Sequence, residues 1–142
     1  MISDSSPDDV GSNHARVAVS AGPLVAPVLN RVVGMLAARA QCPLDRLDEA
    51  LAVTDALAAH GPAQLLDGRL TLEVTARTSA LELRVGPLVA GGARAVLSAA
   101  DLPGVGSVVE RMADRVWVEP ADDGAELLVV CLRFSEPAPP GG

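Results

Sequence analysis

Between Arg69 and Val85 the residues alternate in a way that only a pleated pair of strands satisfies. Leu70, Leu72, Val74 and Ala76 fall on one side, and Arg69, Thr71, Glu73 and Thr75 on the other. After Thr78-Ser79 the pattern resumes, with Leu81, Leu83 and Val85 set against Glu82 and Arg84. A period of two puts the two sets on opposite faces. The spacing predicts an antiparallel hairpin with one wet face and one apolar face. The apolar face must be covered, and the rest of the chain must supply the cover.

Two helices are predicted upstream. After Gly22-Pro23, Leu29, Val32, Val33, Leu36 and Ala40 recur at helical spacing, with the regular part expected just after Pro27. After Cys42-Pro43 a second helix places Leu44, Leu47, Leu51, Thr54 and Ala58 on a shared face, with Gly61 as its expected C-cap. His60 lies in the last turn, where it suits the helix dipole, and His14 reads as a solvated polar residue. Before the first helix, Ala15, Val17 and Val19 alternate with Arg16 and Ser20 as a short half-buried strand.

Downstream, residues 94–100 read as a short helix. From Asp101 to Pro120 a Pro/Gly loop opens a helix burying Val105, Val108, Val109 and Met112, and a strand through Val116 and Val118 follows. Asp122-Asp123-Gly124 signals a turn, and the run from Leu127 to Leu132 is apolar on both sides, as in an internal strand. The order β-α-α-β-β-(α)-α-β-β predicts an α+β two-layer sandwich, a mixed but mostly antiparallel sheet with helices on one face. The folded unit is read as a single domain over residues 14–134, with a disordered segment 1–13 and a flexible Pro/Gly tail 135–142.

Composition narrows the function. With 49% hydrophobic and 1% aromatic residues, the core must be Leu, Val and Ala. The net charge of −7, with no basic stripe or aromatic platform, disfavours nucleic acid. No apolar run reaches the ~20 residues of a membrane span, and the acidic start is unlike a signal peptide. Cys42 and Cys131 are too few for a disulfide scaffold and lack metal spacing, which fits a reducing, cytoplasmic setting. The pair Gly104 and Gly106 before a helix can leave N–H groups free for an anion, or can simply let the loop pack closely.

The run GVGSVVERMADRVWVEPADDGAELLVVCLRF, residues 104–134, resembles the anti-sigma-factor serine kinases of the GHKL (Bergerat-fold) ATPase superfamily, and the element order agrees. In that family a glycine box opens a helix ending in Ala-Asp, followed by a strand, a Gly turn and a last strand. The segment DRLDEALAVTDALAAHG, residues 45–61, is similar to the family's ATP-site helix. The resemblance implies a glutamate base with a magnesium-holding asparagine four residues on; those positions fall on Asp55 and Ala59. It also implies an Asp-x-Gly-x-Gly box reading the adenine amino group. Residues 86–92 keep Gly91 and Gly92 there but carry no aspartate. Gly104 and Gly106 would be the phosphate turn, and Arg94 is the one candidate phosphate partner in the lid.

What the resemblance implies is therefore a degenerate nucleotide site, with Asp55 as a remnant base and no metal ligand set. No cofactor is expected; ATP with Mg²⁺ is what an intact site would hold. The expected partner is a protein, either a sigma factor or an anti-anti-sigma-type regulator, with a homodimer as the assembly and neither nucleic acid nor membrane as a target. Two alternatives stay open. One is an active ATP-dependent serine/threonine kinase using Asp55 with Asp48 or Glu49. The other is a structural or dimerisation subunit.

Overall fold

The predicted hairpin forms the middle of the molecule. Strands β2 (Arg69–Arg77) and β3 (Ala80–Leu88) pair antiparallel with Val74 opposite Leu83. A computed structural model describes residues 13–104 and 106–134. The expectations for residues 1–12, for Val105 and for the tail 135–142 lie outside the described residues. Strand β1 (Asn13–Ser20) adds to the free edge of β2. Strands β6 (Arg115–Pro120) and β7 (Glu126–Arg133) complete a five-stranded sheet of order β1-β2-β3-β7-β6, in which every neighbouring pair is antiparallel. β7 is internal, as its two-sided apolar run requires, and Leu128, Val129, Val130 and Leu132 are fully buried. The β3–β7 register breaks between Val85 and Leu88. A Cβ on Gly86 would lie 2.6 Å from the Leu127 side chain and 3.0 Å from the Glu126 carbonyl, so only glycine admits so close a strand.

Helices α1 (Val25–Arg39), α2 (Leu44–His60) and α3 (Gly92–Ala99) cover one face of that sheet. The result is the two-layer α+β sandwich. α1 buries Val25, Leu29, Val33, Leu36 and Ala37 against β1 and β2. It starts two residues before Pro27, not after it, because a proline in the first turn lacks only an N–H that would have no helical partner. Its C-terminus closes with Gln41 at φ +58°, the Gln41 N–H donating to Ala38 O (3.1 Å) and the Cys42 N–H to Ala37 O (3.0 Å). This paired closure usually recruits glycine at the left-handed position.

Three details sharpen or correct the sequence reading. The buried face of α2 is Ala50, Val53, Thr54, Leu57 and Ala58, while Leu44 is 74% exposed. Leu44 opens the helix beyond the edge of the core, and small alanines let the middle of α2 pack closely. Gly61 is the C-cap as expected, its N–H donating to Leu57 O, but it is right-handed (φ −64°), and glycine is required there because a Cβ would sit 2.5 Å from Leu57 O. Finally, the stretch after Ala100 is not a long helix. Strands β4 (Asp101–Leu102) and β5 (Gly106–Ser107) pair as a small hairpin, and helix α4 is only Val108–Met112. The Val108 N–H donates to Ala100 O (3.1 Å), closing the hairpin loop, and the Asp114 N–H is already taken by Cys131 O (2.9 Å). That leaves room for little more than one turn between them. Val109 is fully buried, and Met112 is half-buried against the core.

Candidate functional site

Helix α3 lies between the two glycine pairs that the sequence singles out. Gly91 (φ +80°) is its N-cap, and Gly92 is its first residue. Gly104 (φ +76°) and Gly106 (φ +91°) belong to the β4–β5 hairpin that follows its C-terminus. Eight residues of helix rise about 12 Å, so the two pairs stand at opposite ends of α3 and do not form one cradle. An added Cβ at Gly91, Gly104 or Gly106 would meet nothing within 4 Å, so positive φ alone accounts for glycine at these turns. At Gly92 the reason is packing: a Cβ would come within 3.1 Å of both Gln64 and Leu88 Cβ.

The N-terminus of α3 already holds an anion, and the chain itself supplies it. The Ala93 N–H donates to Glu126 Oε2 at 2.9 Å, and the Gly92 N–H to Val89 O at 2.7 Å. The partial positive charge of a helix start favours such a carboxylate and would favour a phosphate in the same place. Glu126 sits at the start of β7, opposite Leu88, so the strand register delivers it there. At the other end, the five-residue α4 is too short to gather an appreciable dipole. The buried Ser107 hydroxyl at its start has no partner among the described residues, and Arg94 is exposed on α3.

Asp55 is exposed on the opposite flank of α2. Its carboxylate accepts a hydrogen bond from Asn30 Nδ2 of α1 at 2.9 Å. Arg46, nine residues earlier and so about half a turn out of phase, points toward α4. Its Nη1 donates to Glu49 and to Met112 O (3.3 Å), its Nη2 to Asp114 Oδ2 (2.6 Å), and its Nε to Arg133 O (3.0 Å). The Arg133 N–H completes this clamp on the same Asp114 oxygen (2.6 Å). Thus α2 turns Asp55 toward α1 and away from the side where α4 packs.

These residues do not fit ATP with Mg²⁺. Ala59 is exposed and has no ligand atom. Asp55 spends one carboxylate oxygen on Asn30 Nδ2, and the position where the resemblance implies the magnesium-holding amide carries only a methyl group. Among the described residues no group of three or more His, Cys, Asp or Glu side chains is placed to hold a metal. Glu126, absent from the sequence reading, occupies the helix terminus where a phosphate would gain most.

The uncovered face of the sheet is also organised. One cross-strand row runs Arg16, Glu73, Arg84, Val129, Trp117, and the next runs His14, Thr75, Glu82, Cys131, Arg115. Arg84 is held by Glu82 and by Glu119 (3.2 and 2.9 Å), and the Trp117 indole N–H donates to Glu119 (3.0 Å). Arg115 lies over the Trp117 ring, 4.8 Å from its centroid. His14 lies 3.3 Å from Glu73. The alternation of β2 and β3 with charged residues is the signal for a wet face; the bonds from His14 of β1 to Glu73 of β2 and from Arg84 of β3 to Glu119 of β6 have no signature in the sequence.

Comparison with protein-family models finds no match, and comparison with curated proteins finds none.

Proposed function

We propose that the chain is a regulatory protein-binding module, similar to an anti-sigma factor of the GHKL type but working without nucleotide. The observation that carries this reading is the Glu126 carboxylate on the Ala93 N–H. That end of α3 is the one the resemblance gives to the adenine box, and an internal carboxylate there takes up a backbone donor and repels an anionic ligand; at the phosphate turn of Gly104 and Gly106 the helix that follows has only five residues. The missing magnesium ligand at Ala59 and the missing adenine-reading aspartate in residues 86–92 point the same way. Each lost polar anchor costs a ligand about 1–3 kcal/mol. The alternative kinase reading finds no support: Asp48 is about two turns, or ~10 Å, from Asp55 along α2, and Glu49 is bonded to Arg46.

The partner is a sigma factor or an anti-anti-sigma-type regulator, and the net charge of −7 suits a partner with a basic surface. A second reading, a dimerisation subunit, is favoured by exposed apolar side chains near and on α1: Leu24 is 65% and Met35 52% exposed. Mixing the purified chain with candidate regulators and weighing the complexes by light scattering separates the two. The first reading predicts a stoichiometric heterocomplex that ATP leaves unchanged, with no label transferred from radioactive ATP. Phosphate transfer to the partner would overturn it, and a stable dimer with no heterocomplex would favour the second.

A further inference from the structure

At one end of the uncovered sheet face is a cleft of about 450 Å³ lined by Arg77, Ser79, Ala80, Cys131, Arg133 and Phe134. We propose that this cleft binds a small doubly charged oxyanion, a phosphate or phosphate monoester, between the guanidinium groups of Arg77 and Arg133. This inference is independent of the regulatory reading above.

Arg77 pairs with Ala80, and Ala80 with Arg133, so the two arginines flank a small residue in one cross-strand row. Two strand spacings separate their backbones by about 9.6 Å. Both side chains are long enough to lean inward over Ala80 and close on one group. Among the described residues the lining holds two cations, the Ser79 hydroxyl and no carboxylate. The acids nearby are bonded to other arginines: Glu82 and Glu119 share Arg84, and Asp114 shares Arg46 with Glu49. By contrast Arg77, Arg133 and Arg115, the last beside Cys131 in the adjoining row, have no acid within salt-bridge range among the described residues. On a chain of net charge −7, two such arginines lining one concavity, with Arg115 in the adjoining row, gather positive charge at this end of the sheet. Two guanidinium forks match the charge and the oxygen geometry of a phosphoryl group, whereas a single carboxylate engages only one of them.

Cys131 in the cleft lining is a built-in reporter, and Cys42, which packs against the core just before α2 and is not part of that lining, is its internal reference. The test is maleimide labelling of the full chain, read by mass spectrometry, with inorganic phosphate, glycerol phosphate, acetate or chloride at equal ionic strength. Phosphate or glycerol phosphate is expected to slow labelling of Cys131 severalfold and to leave Cys42 unchanged, and whichever protects at lower concentration identifies free ion or ester. Arg77→Gln and Arg133→Gln are each expected to weaken protection about tenfold, with Arg77→Lys intermediate because it keeps the charge and loses the fork. Should Arg133→Gln disturb the clamp at Asp114, the Arg77 pair carries the test alone. Equal protection by chloride, or full protection in folded Arg77→Gln, would overturn the assignment.

Discussion

Glu119 accepts from three donors, two on Arg84 and one on Trp117. The Arg84 guanidinium, with help from the indole N–H, holds its carboxyl below the ordinary carboxylate value, and Arg84 in turn is raised by the same bond. A carboxyl that binds its proton less readily when folded stabilises the fold above its unfolded value and loses that effect as pH falls through the folded one. In Glu119→Gln the loss of stability, measured by denaturant unfolding, is expected to be full at neutral pH and to shrink to nothing in acid. A difference that grew on acidification would contradict the assignment. The thiols behave oppositely: burial pushes both Cys42 and Cys131 above the ordinary value, so neither is an activated nucleophile.

Among the elements, α2 depends on Arg46, which ties its first turns to the end of α4 and the last residues of β7. Its side chain is 18% exposed, so its bonds are sheltered from water. Arg46→Leu is expected to cost about 2–3 kcal/mol, the worth of one or two charge-assisted bonds. The Arg133 amide, which donates to Asp114, is expected to exchange its hydrogen faster in the variant; unchanged exchange would show that the clamp holds without Arg46. None of this was legible in the sequence, because Arg46 and Asp114 are 68 residues apart and lack a periodic pattern. The hairpin β2–β3 was legible because one face is wet, so alternation marks it. The buried face of α2 was misread because large residues at Leu44, Leu47 and Leu51 outweigh alanines that pack more deeply. The β4–β5 hairpin escaped notice because two paired residues per strand carry no period. The site glycines were visible as turns, but Glu126, which decides their meaning, came from a strand 33 residues away.

For the whole molecule, one face of the sheet carries the core helices and the other carries a bonded array of charges with a basic cleft at its end. On the helical side, Asp55 is bonded to Asn30 and the N-terminus of α3 to Glu126. The central claim is that this architecture binds without nucleotide. Calorimetric titration of the chain with ATP and ADP, with and without Mg²⁺, tests it most directly. Running the titration also in the Arg77→Gln/Arg133→Gln variant removes phosphate binding by the cleft and keeps the two proposals separable. The account predicts no saturable heat in that variant with either nucleotide, and only weak, Mg²⁺-independent and phosphate-competed binding in the parent chain. Tight, Mg²⁺-dependent ATP binding that survives in the variant would contradict it.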